Sequence, residues 1–308
     1  MPKNNRVLWV GLKTLFVGLM LFFLCRTLLT QWGQIASFSW RFCFLPLVAS
    51  IVLQLIATFF WATIWCHIVG HLLEYPLGWM DGALIYILSN LFKYVPGSVW
   101  GYISRAYLGS DKGLDATAIG VSTLWEVGIT VVASLLLSGI TILNYLNQID
   151  RWLLYLLLVI ALLCFCGLLP PIFSWWIHLL TRRYRADRVI PFRWQEFWLY
   201  LAAALETHIL VGISFFLFAY SFTDISSGSM WSFVGIWSFS TTSGLVIILA
   251  PYGIGVREGI LASLLQIFVP PGVATLISLA SRLWTICSEL LAALMVLALS
   301  RVYKHWCK

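Results

Sequence analysis

The sequence predicts an all-α integral membrane protein with about six transmembrane helices and two re-entrant broken-helix hairpins in an inverted-repeat arrangement. Three observations support this fold class. Of the 308 residues, 61% are hydrophobic and 10% are charged, with a mean hydropathy of +0.92, and soluble domains lack such a composition. Two long apolar stretches are interrupted at their middles by proline and glycine, beside fixed charges. Lys and Arg residues collect at the ends of apolar runs, on one predicted side of the membrane.

Six continuous apolar runs are long enough to cross a hydrocarbon core, which takes about 20 helical residues. They lie at about residues 7–29, 42–70, 113–143, 151–179, 195–222 and 271–302. The first run follows a short basic start, as in a signal peptide, but it has no small-residue cleavage site. We therefore predict that it is a retained span.

The two interrupted stretches, at about residues 80–108 and 230–269, are each predicted to descend to mid-membrane and return on the same side. A helix of 13 residues is only about 20 Å long, which is too short to cross alone. Irregular backbone at membrane depth persists only where protein buries it or where it lines a wet cavity, so each break indicates a site. The breaks are Lys93-Tyr-Val-Pro96-Gly97-Ser98 and Pro251-Tyr-Gly253-Ile-Gly255-Val-Arg257-Glu258.

The distribution of Lys and Arg predicts a multi-pass protein with both termini cytoplasmic, and the expected location is the cell inner (plasma) membrane. In this topology, 13 of the 19 basic residues lie on the cytoplasmic side. Arg26, Arg41 and Arg151 lie outside, and three more fall within the membrane. The same count results if the broken segments are full crossings, so it fixes the orientation but leaves that alternative open.

The order of elements suggests one transmembrane domain, residues 1–308, made of two half-repeats at 1–145 and 150–302. Each half gives two spans, one hairpin and one further span, and the two halves run in opposite directions. This is the plan of inverted-repeat transporters, whose site lies at mid-membrane where the broken helices meet.

Fixed charges beside the breaks predict a site for an anionic headgroup. Ser98 can cap a half-helix, the glycines free the backbone, and helix N-termini attract phosphate. Charges at this depth cost about 3 kcal/mol unless they are paired or wet. The predicted substrate-binding residues are Lys93, Pro96, Gly97, Ser98, Gly253, Gly255, Arg257 and Arg282. The residues predicted to pair charges or couple protons are Glu126, Glu206, Glu258 and Glu289. Kinked packed helices and structural ion pairs are the alternatives.

Two further segments carry polar residues within apolar runs. Glu206 and His208 lie about 200° apart around a helix, so both cannot face one narrow cavity. Glu206 is the predicted site residue, and His208 is predicted to form an interhelical hydrogen bond. The Ser and Thr residues at 238–243 could line a wet path or bond to their own backbone.

The two motifs, with Arg105 and Glu126 after the first, resemble those of the lysylphosphatidylglycerol synthase transmembrane family. These are the flippase-like domains of aminoacyl-phosphatidylglycerol synthases and their stand-alone relatives. The resemblance covers nearly the whole chain and implies that Arg105 also binds substrate. Tyr252 departs from the small residue expected there. No soluble aminoacyl-transferase domain follows Lys308, so the resemblance implies a stand-alone member without lipid-modifying activity.

We therefore expect a flippase-like transporter that moves an anionic phospholipid or polyprenyl-phosphate-type lipid. A membrane lipid is the expected partner, possible protein partners are a lipid synthase or a glycosyltransferase, and no cofactor, metal or nucleic acid is expected. The seven cysteines show neither a disulfide framework nor a zinc spacing. No short catalytic motif occurs. The alternatives are a membrane-embedded enzyme of lipid or lipid-linked sugar metabolism, or a non-transporting accessory subunit. The oligomeric state is left open.

Overall fold

The computed structural model describes residues 22, 26–73, 77–94, 100–144, 159, 162–181, 192–246 and 255–306. All regular secondary structure in these ranges is helical. In chain order the helices are α1 (Trp32–Ser37), α2 (Phe44–Leu73), α3 (Trp79–Leu91), α4 (Trp100–Ser110), α5 (Ala116–Asn144), α6 (Pro170–Thr181), α7 (Trp194–Tyr220), α8 (Met230–Val246), α9 (Val256–Leu265) and α10 (Pro271–Trp306). Residues 162–168 are also helical.

Four of the described helices are long and apolar enough to cross a membrane. They are Phe44–Leu73, Ala116–Gly139, Trp194–Tyr220 and Pro271–Tyr303, with mean hydropathies between 1.7 and 2.1. These helices match four of the six predicted spans, and the protein is an all-α, multi-pass membrane protein. The predicted span at 7–29 falls almost entirely outside the described residues. The predicted span at 151–179 is described in part. Within it the helical segment at 162–168 ends, and a separate helix, α6, starts at Pro170, because proline suits a first helical turn.

The sequence sets several helix starts through local hydrogen bonds and backbone geometry. At the start of α5, Asp115 Oδ1 accepts the Thr117 N–H at 2.8 Å, which satisfies a donor that the helix leaves open. At the start of α7, Glu196 Oε2 accepts the Arg193 N–H at 2.7 Å. Gly255 precedes α9 with φ 86°, a conformation that favours glycine.

Helices α2 and α7 run antiparallel along their whole length. Near the start of α2, the Cys43 N–H donates to Ser221 O at 2.9 Å. Near its end, His67 Nδ1 and the Tyr200 hydroxyl are 2.9 Å apart. This pair forms the centre of the fold, and the other long helices pack around it.

The helices on either side of the first break, α3 and α4, also run antiparallel. Their outer ends meet where Lys112 Nζ lies 2.8 Å from Asp81 Oδ1. The same outer end lies against the C-terminal half of α2, where Trp79 Nε1 donates to Thr63 Oγ1 at 2.8 Å. Helix α3 ends in the single 3₁₀ turn Phe92–Tyr94, directly before residues 95–99, which lie outside the described residues.

The pair around the second break, α8 and α9, lies toward the opposite end of α2. The Phe233 and Phe268 rings pack at 5.1 Å between centroids, in one apolar cluster with Phe38 and Leu47. Helix α8 approaches α7 closely at Gly212, where a Cβ atom would lie 2.6 Å from the Cα of Val234. The two helix pairs therefore have their outer ends at opposite ends of the α2–α7 axis.

Packing between elements follows the same pattern in the two halves of the chain. If α2, α3, α4 and α5 are matched in order with α7, α8, α9 and α10, each contact has a counterpart. Helix α3 packs on α10 as α8 packs on α5, and α2 packs on α10 as α7 packs on α5. Within each half, the two helices of the broken pair pack on one another and the second of them packs on the following span.

Candidate functional site

Two adjoining cavities lie between the broken segments and the long helices. The large cavity has a volume of about 920 Å³ and is lined mainly from α2, α3, α4, α5 and α7. The small cavity has a volume of about 230 Å³ and is lined from both broken segments together with α2, α5, α7 and α10. The residues that line both cavities form the junction between them: Lys93, Thr130, Thr207, His208, Val211, Leu245 and Glu289.

The large cavity has a buried ion pair in its wall. The Arg105 guanidinium on α4 contacts the Glu126 carboxylate on α5. The other oxygen of the Glu126 carboxylate, Oε1, accepts hydrogen bonds from the Trp61 indole N–H and from the Tyr86 hydroxyl, each at 2.9 Å. Because its oxygens hold three donors, the carboxylate is compensated despite its burial.

Two further donors of Arg105 are also held by protein groups. Its Nε donates to Ser89 Oγ at 3.2 Å and its Nη2 donates to Asn90 Oδ1 at 3.0 Å. The guanidinium lies over the Tyr86 ring, 4.5 Å from the centroid, and Arg105 is 2% exposed. Such a network stabilises the contact between α3, α4 and α5. It leaves Arg105 far less accessible to a substrate than the resemblance implies.

The junction contains the second ion pair, which connects the first broken segment with the last long helix. The Lys93 ammonium contacts Glu289 Oε1, and the Tyr94 hydroxyl donates to Glu289 Oε2 at 2.9 Å. Both side chains of the ion pair retain about an eighth of their surface, at 12% and 13%. The pair is therefore accessible from both cavities.

A third cluster of charges lies at the start of α9, beside the small cavity. Glu258 Oε1 lies 2.5 Å from an Arg282 Nη1 and 3.4 Å from an Arg257 Nη1. Glu258 Oε2 accepts the Gly255 N–H at 2.7 Å. The Arg257 guanidinium also lies over the Trp237 ring, 4.5 Å from the centroid. The Glu258 carboxylate thus contacts two arginines and accepts a hydrogen bond from the backbone at the N-terminus of α9.

This arrangement changes the predicted role of the α9 N-terminus. The sequence suggested that free N–H groups there would attract phosphate, but the Glu258 side chain already accepts from Gly255. The chain thereby caps its own helix, since a carboxylate three positions after the cap satisfies an open donor. The remaining residues of the predicted breaks, Pro96, Gly97, Ser98 and Gly253, lie outside the described residues.

The structure reverses the predicted order of Glu206 and His208. Glu206 is exposed on the outer face of α7 and is not part of either cavity wall, whereas His208 lines both cavities. The helical offset of about 200° does not determine which face of α7 points inward. The His208 Nδ1 lies 2.9 Å from Ala204 O, so its hydrogen bond is within its own helix rather than between helices.

Two residues of the polar run on α8, Thr241 and Thr242, line the small cavity. The Thr241 hydroxyl nevertheless donates to its own helix, to Trp237 O at 2.8 Å. The sequence reasoning missed the hydroxyls of Thr130 and Thr207 at the junction. Single threonines within apolar spans are common in membrane helices, so the pattern gave no signal for them.

Among the described residues, no three His, Cys, Asp or Glu side chains are grouped so that they could hold a metal ion. A scan against models of known protein families and a search of curated proteins find no match for this chain.

Proposed function

We propose that this protein is a flippase-like transporter that moves an anionic lipid headgroup across the membrane through the large and small cavities. One observation carries the proposal: cationic residues from both broken segments, Lys93 and Arg257, line the same small cavity, which adjoins the large one. Arg282 of α10 lines it too. Ionisable residues inside a membrane protein typically mark a substrate or ion pathway.

The packing supports an inverted repeat with two opposed re-entrant hairpins. The central helices of the two halves, α2 and α7, are antiparallel, as counterparts are when a two-fold axis lies in the membrane plane. The outer ends of the α3–α4 and α8–α9 pairs lie at opposite ends of these helices. In transporters of this plan, rocking of one repeat against the other exposes a mid-membrane site to each side in turn.

The ion pairs provide a mechanism for binding without an uncompensated charge. Glu289 and Glu258 neutralise cations of the cavity wall. A headgroup phosphate can bind Lys93 or Arg282 beside their carboxylates, because phosphate and carboxylate oxygens suit the same donors. The acyl chains remain in the lipid while the headgroup crosses the polar cavity.

The family resemblance and the charge distribution complete the proposal. The substrate is an anionic phospholipid or a polyprenyl-phosphate-type lipid, and the location is the inner (plasma) membrane with cytoplasmic termini. A lipid synthase or glycosyltransferase that supplies this lipid is the proposed protein partner.

Reconstitution tests the proposal directly. The purified protein is placed in vesicles with a trace of fluorescent anionic phospholipid, and headgroup movement is followed as the fraction that dithionite can quench. We expect Lys93→Ala and Arg257→Ala each to abolish movement, because each removes a cation from the small cavity. Lys112→Ala is the matched control, since Lys112 pairs with Asp81 at the exposed end of α3.

Folding of each variant is checked by gel filtration and circular dichroism. If Arg257→Ala does not fold, Arg257→Lys keeps the charge but loses the planar guanidinium, and movement should fall by about tenfold or more. Wild-type movement in folded Lys93→Ala and Arg257→Ala variants would reject the assigned roles.

A further inference from the structure

We propose that the side-chain amide of Gln54 binds headgroup hydroxyls, so that the small cavity selects phosphodiesters whose alcohol carries further hydroxyl groups. This inference rests on the proposed function and adds the chemistry of the headgroup beyond its phosphate. It follows from the position of Gln54 on α2, from its burial and from the absence of a hydrogen bond to its side-chain oxygen among the described residues.

Gln54 lies on the face of α2 that packs against the other long helices. One turn earlier, Ser50 Oγ accepts the Trp284 indole N–H at 3.1 Å. Two turns after Gln54, the Trp61 indole N–H donates to Glu126 Oε1 at 2.9 Å. Residues four and seven positions apart share one face of a helix, so these two contacts fix the rotation of α2 that directs Gln54 inward.

The Gln54 side chain is buried, yet its carbonyl oxygen has no partner in the part of the chain that the structure describes. The residue is 7% exposed, and Oε1 is itself buried and accepts no hydrogen bond from a described group. Buried polar atoms in native proteins nearly always have a partner, and one without a partner bears its full cost of desolvation. The amide is therefore placed to bind a ligand rather than to join two helices.

This amide shares the small cavity with the cations of the proposed phosphate site. Gln54, Lys93, Arg257 and Arg282 all contribute to the cavity wall. The cavity volume of about 230 Å³ lies below the range of roughly 300–1,000 Å³ for pockets that hold drug-sized ligands. It therefore suits a headgroup rather than acyl chains. A phosphate bound at the cations brings the rest of its headgroup into the same small space as the Gln54 amide.

Arg282 is suited to the phosphate in this arrangement. Its Nη1 donates to Glu258 Oε1 at 2.5 Å, and its guanidinium has further N–H donors. The Arg282 side chain is 18% exposed, whereas that of Glu258 is 2% exposed. The guanidinium can therefore contact a phosphate while it keeps its carboxylate partner, because planar N–H donors match phosphate oxygens.

A hydroxyl is the headgroup substituent that matches a carboxamide on both sides. The Gln54 amide offers a carbonyl acceptor and an NH₂ donor, and a hydroxyl both donates and accepts. The match holds for either orientation of the amide, in which oxygen and nitrogen exchange places. An ammonium group only donates, and an alkyl group does neither. Phosphodiesters of glycerol or of a ring polyol therefore fit the cavity better than a phosphodiester of a simple alkyl alcohol.

Binding of short-chain lipids of equal charge to the detergent-solubilised full chain tests the inference by calorimetry. The probes are dioctanoyl phosphatidylglycerol, dioctanoyl phosphatidylinositol and dioctanoyl phosphatidylpropanol, of which only the first two have headgroup hydroxyls. We expect at least one of these two to bind about tenfold more tightly than phosphatidylpropanol, which leaves the amide unpaired. The tighter of the two shows whether the alcohol is an open chain or a ring. Binding of both no tighter than phosphatidylpropanol would overturn the inference.

Gln54→Met separates recognition of the hydroxyls from recognition of the phosphate. Met is similar in length but lacks the amide donor and acceptor. The preference for the hydroxylated lipid should therefore fall by about fivefold or more, while phosphatidylpropanol binds as before. Gln34→Met is the matched control and should keep the preference, because Gln34 Oε1 accepts the Gly272 N–H at 3.3 Å and Gln34 lines neither cavity. An unchanged preference in Gln54→Met would reject Gln54 as the hydroxyl ligand.

The stability of Gln54→Met tests whether the amide has a structural role instead. Replacement of an unpaired buried amide by an apolar side chain removes a cost of desolvation. The variant should therefore unfold at the same SDS fraction as the wild type or at a higher one. A variant that does not fold, or that unfolds at a clearly lower SDS fraction, would show that the amide supports the packing of α2 and would overturn the inference.

Arg282→Gln should weaken all three lipids alike, since it acts on the phosphate that they share, and Arg282→Lys replaces it if that variant does not fold. A loss of the preference in either variant would show that Arg282 rather than Gln54 recognises the hydroxyls. Failure of the folded wild-type protein to bind any of the three lipids would reject the proposed function itself. Binding of all three with equal affinity would reject only this inference.

Discussion

Removal of the Glu126 carboxylate should destabilise the fold far more than removal of an exposed one. Glu126 accepts three hydrogen bonds, from Trp61, Tyr86 and Arg105. Glu126→Gln leaves the Arg105 guanidinium buried without its counter-charge. Removal of one partner of a buried pair costs about 3–5 kcal/mol, and single hydrogen bonds to charged groups contribute about 1.5–3 kcal/mol each. We therefore expect a loss of about 3–5 kcal/mol in the free energy of unfolding.

The assay is equilibrium unfolding in mixed micelles of increasing SDS fraction, followed by circular dichroism. Asp224→Asn is the matched control, because Asp224 pairs with Arg41 at 2.6 Å on the exposed surface. Exposed pairs contribute about 0–1 kcal/mol. The double variant Arg105→Met with Glu126→Gln should recover much of the loss, since it leaves neither charge buried alone.

Two outcomes would refute this reasoning. The first is a cost for Glu126→Gln no larger than that for Asp224→Asn. The second is a double variant whose cost equals the sum of its two single variants, because additivity would mean that Arg105 and Glu126 do not interact.

Three further predictions concern packing, the junction and the outer face of α7. Gly212→Leu should lower the free energy of unfolding in the same assay by about 1–3 kcal/mol, the range for overpacking, because a Cβ atom at this position would lie 2.6 Å from the α8 backbone. Gly139→Ala is the control and should be neutral or stabilising, because a Cβ atom at Gly139 would have no neighbour within 4 Å. His208→Leu should slow headgroup movement in vesicles at least tenfold, because His208 lines both cavities and its ring has a second nitrogen besides the Nδ1 that lies against Ala204 O. Thr207→Val should have little effect, since the single hydroxyl of Thr207 donates to Ala203 O of its own helix. Glu206→Gln should leave movement unchanged, because Glu206 is exposed outside the cavities, and loss of movement would show that the outer face of α7 takes part in transport.

The positions of the long helices could be predicted because hydropathy is a property of each segment alone. The described helices α2, α5, α7 and α10 lie where apolar runs of sufficient length occur. The helix start after the second break also follows from local chemistry, since Gly255 adopts a positive φ and Glu258 caps the turn that follows it. These features need no knowledge of a neighbouring helix.

The partners of the charged residues could not be predicted in the same way. The sequence placed Glu126 among the residues that pair charges or couple protons without naming a partner, and the structure shows that the partner is Arg105 on α4. His208 lines the cavities and Glu206 is exposed outside them, which is the opposite of the prediction, because the inward face of α7 depends on its packing against α2, α5 and α8. Sequence spacing places residues on the same or opposite faces of one helix, but it carries no information on the rotation of that helix in the bundle.

The amino-acid sequence alone thus determined that this is a helical membrane protein with charge concentrated at two interruptions, since composition and local backbone preference act within a few turns of chain. Only the tertiary structure decided that Lys93 contacts Glu289, which lies 196 residues further along the chain. It also decided that Glu258 is shared by Arg257 and Arg282. The physical reason is that the cost of a buried charge is relieved by whichever counter-charge packing brings within a few ångströms, and packing is a property of the whole bundle.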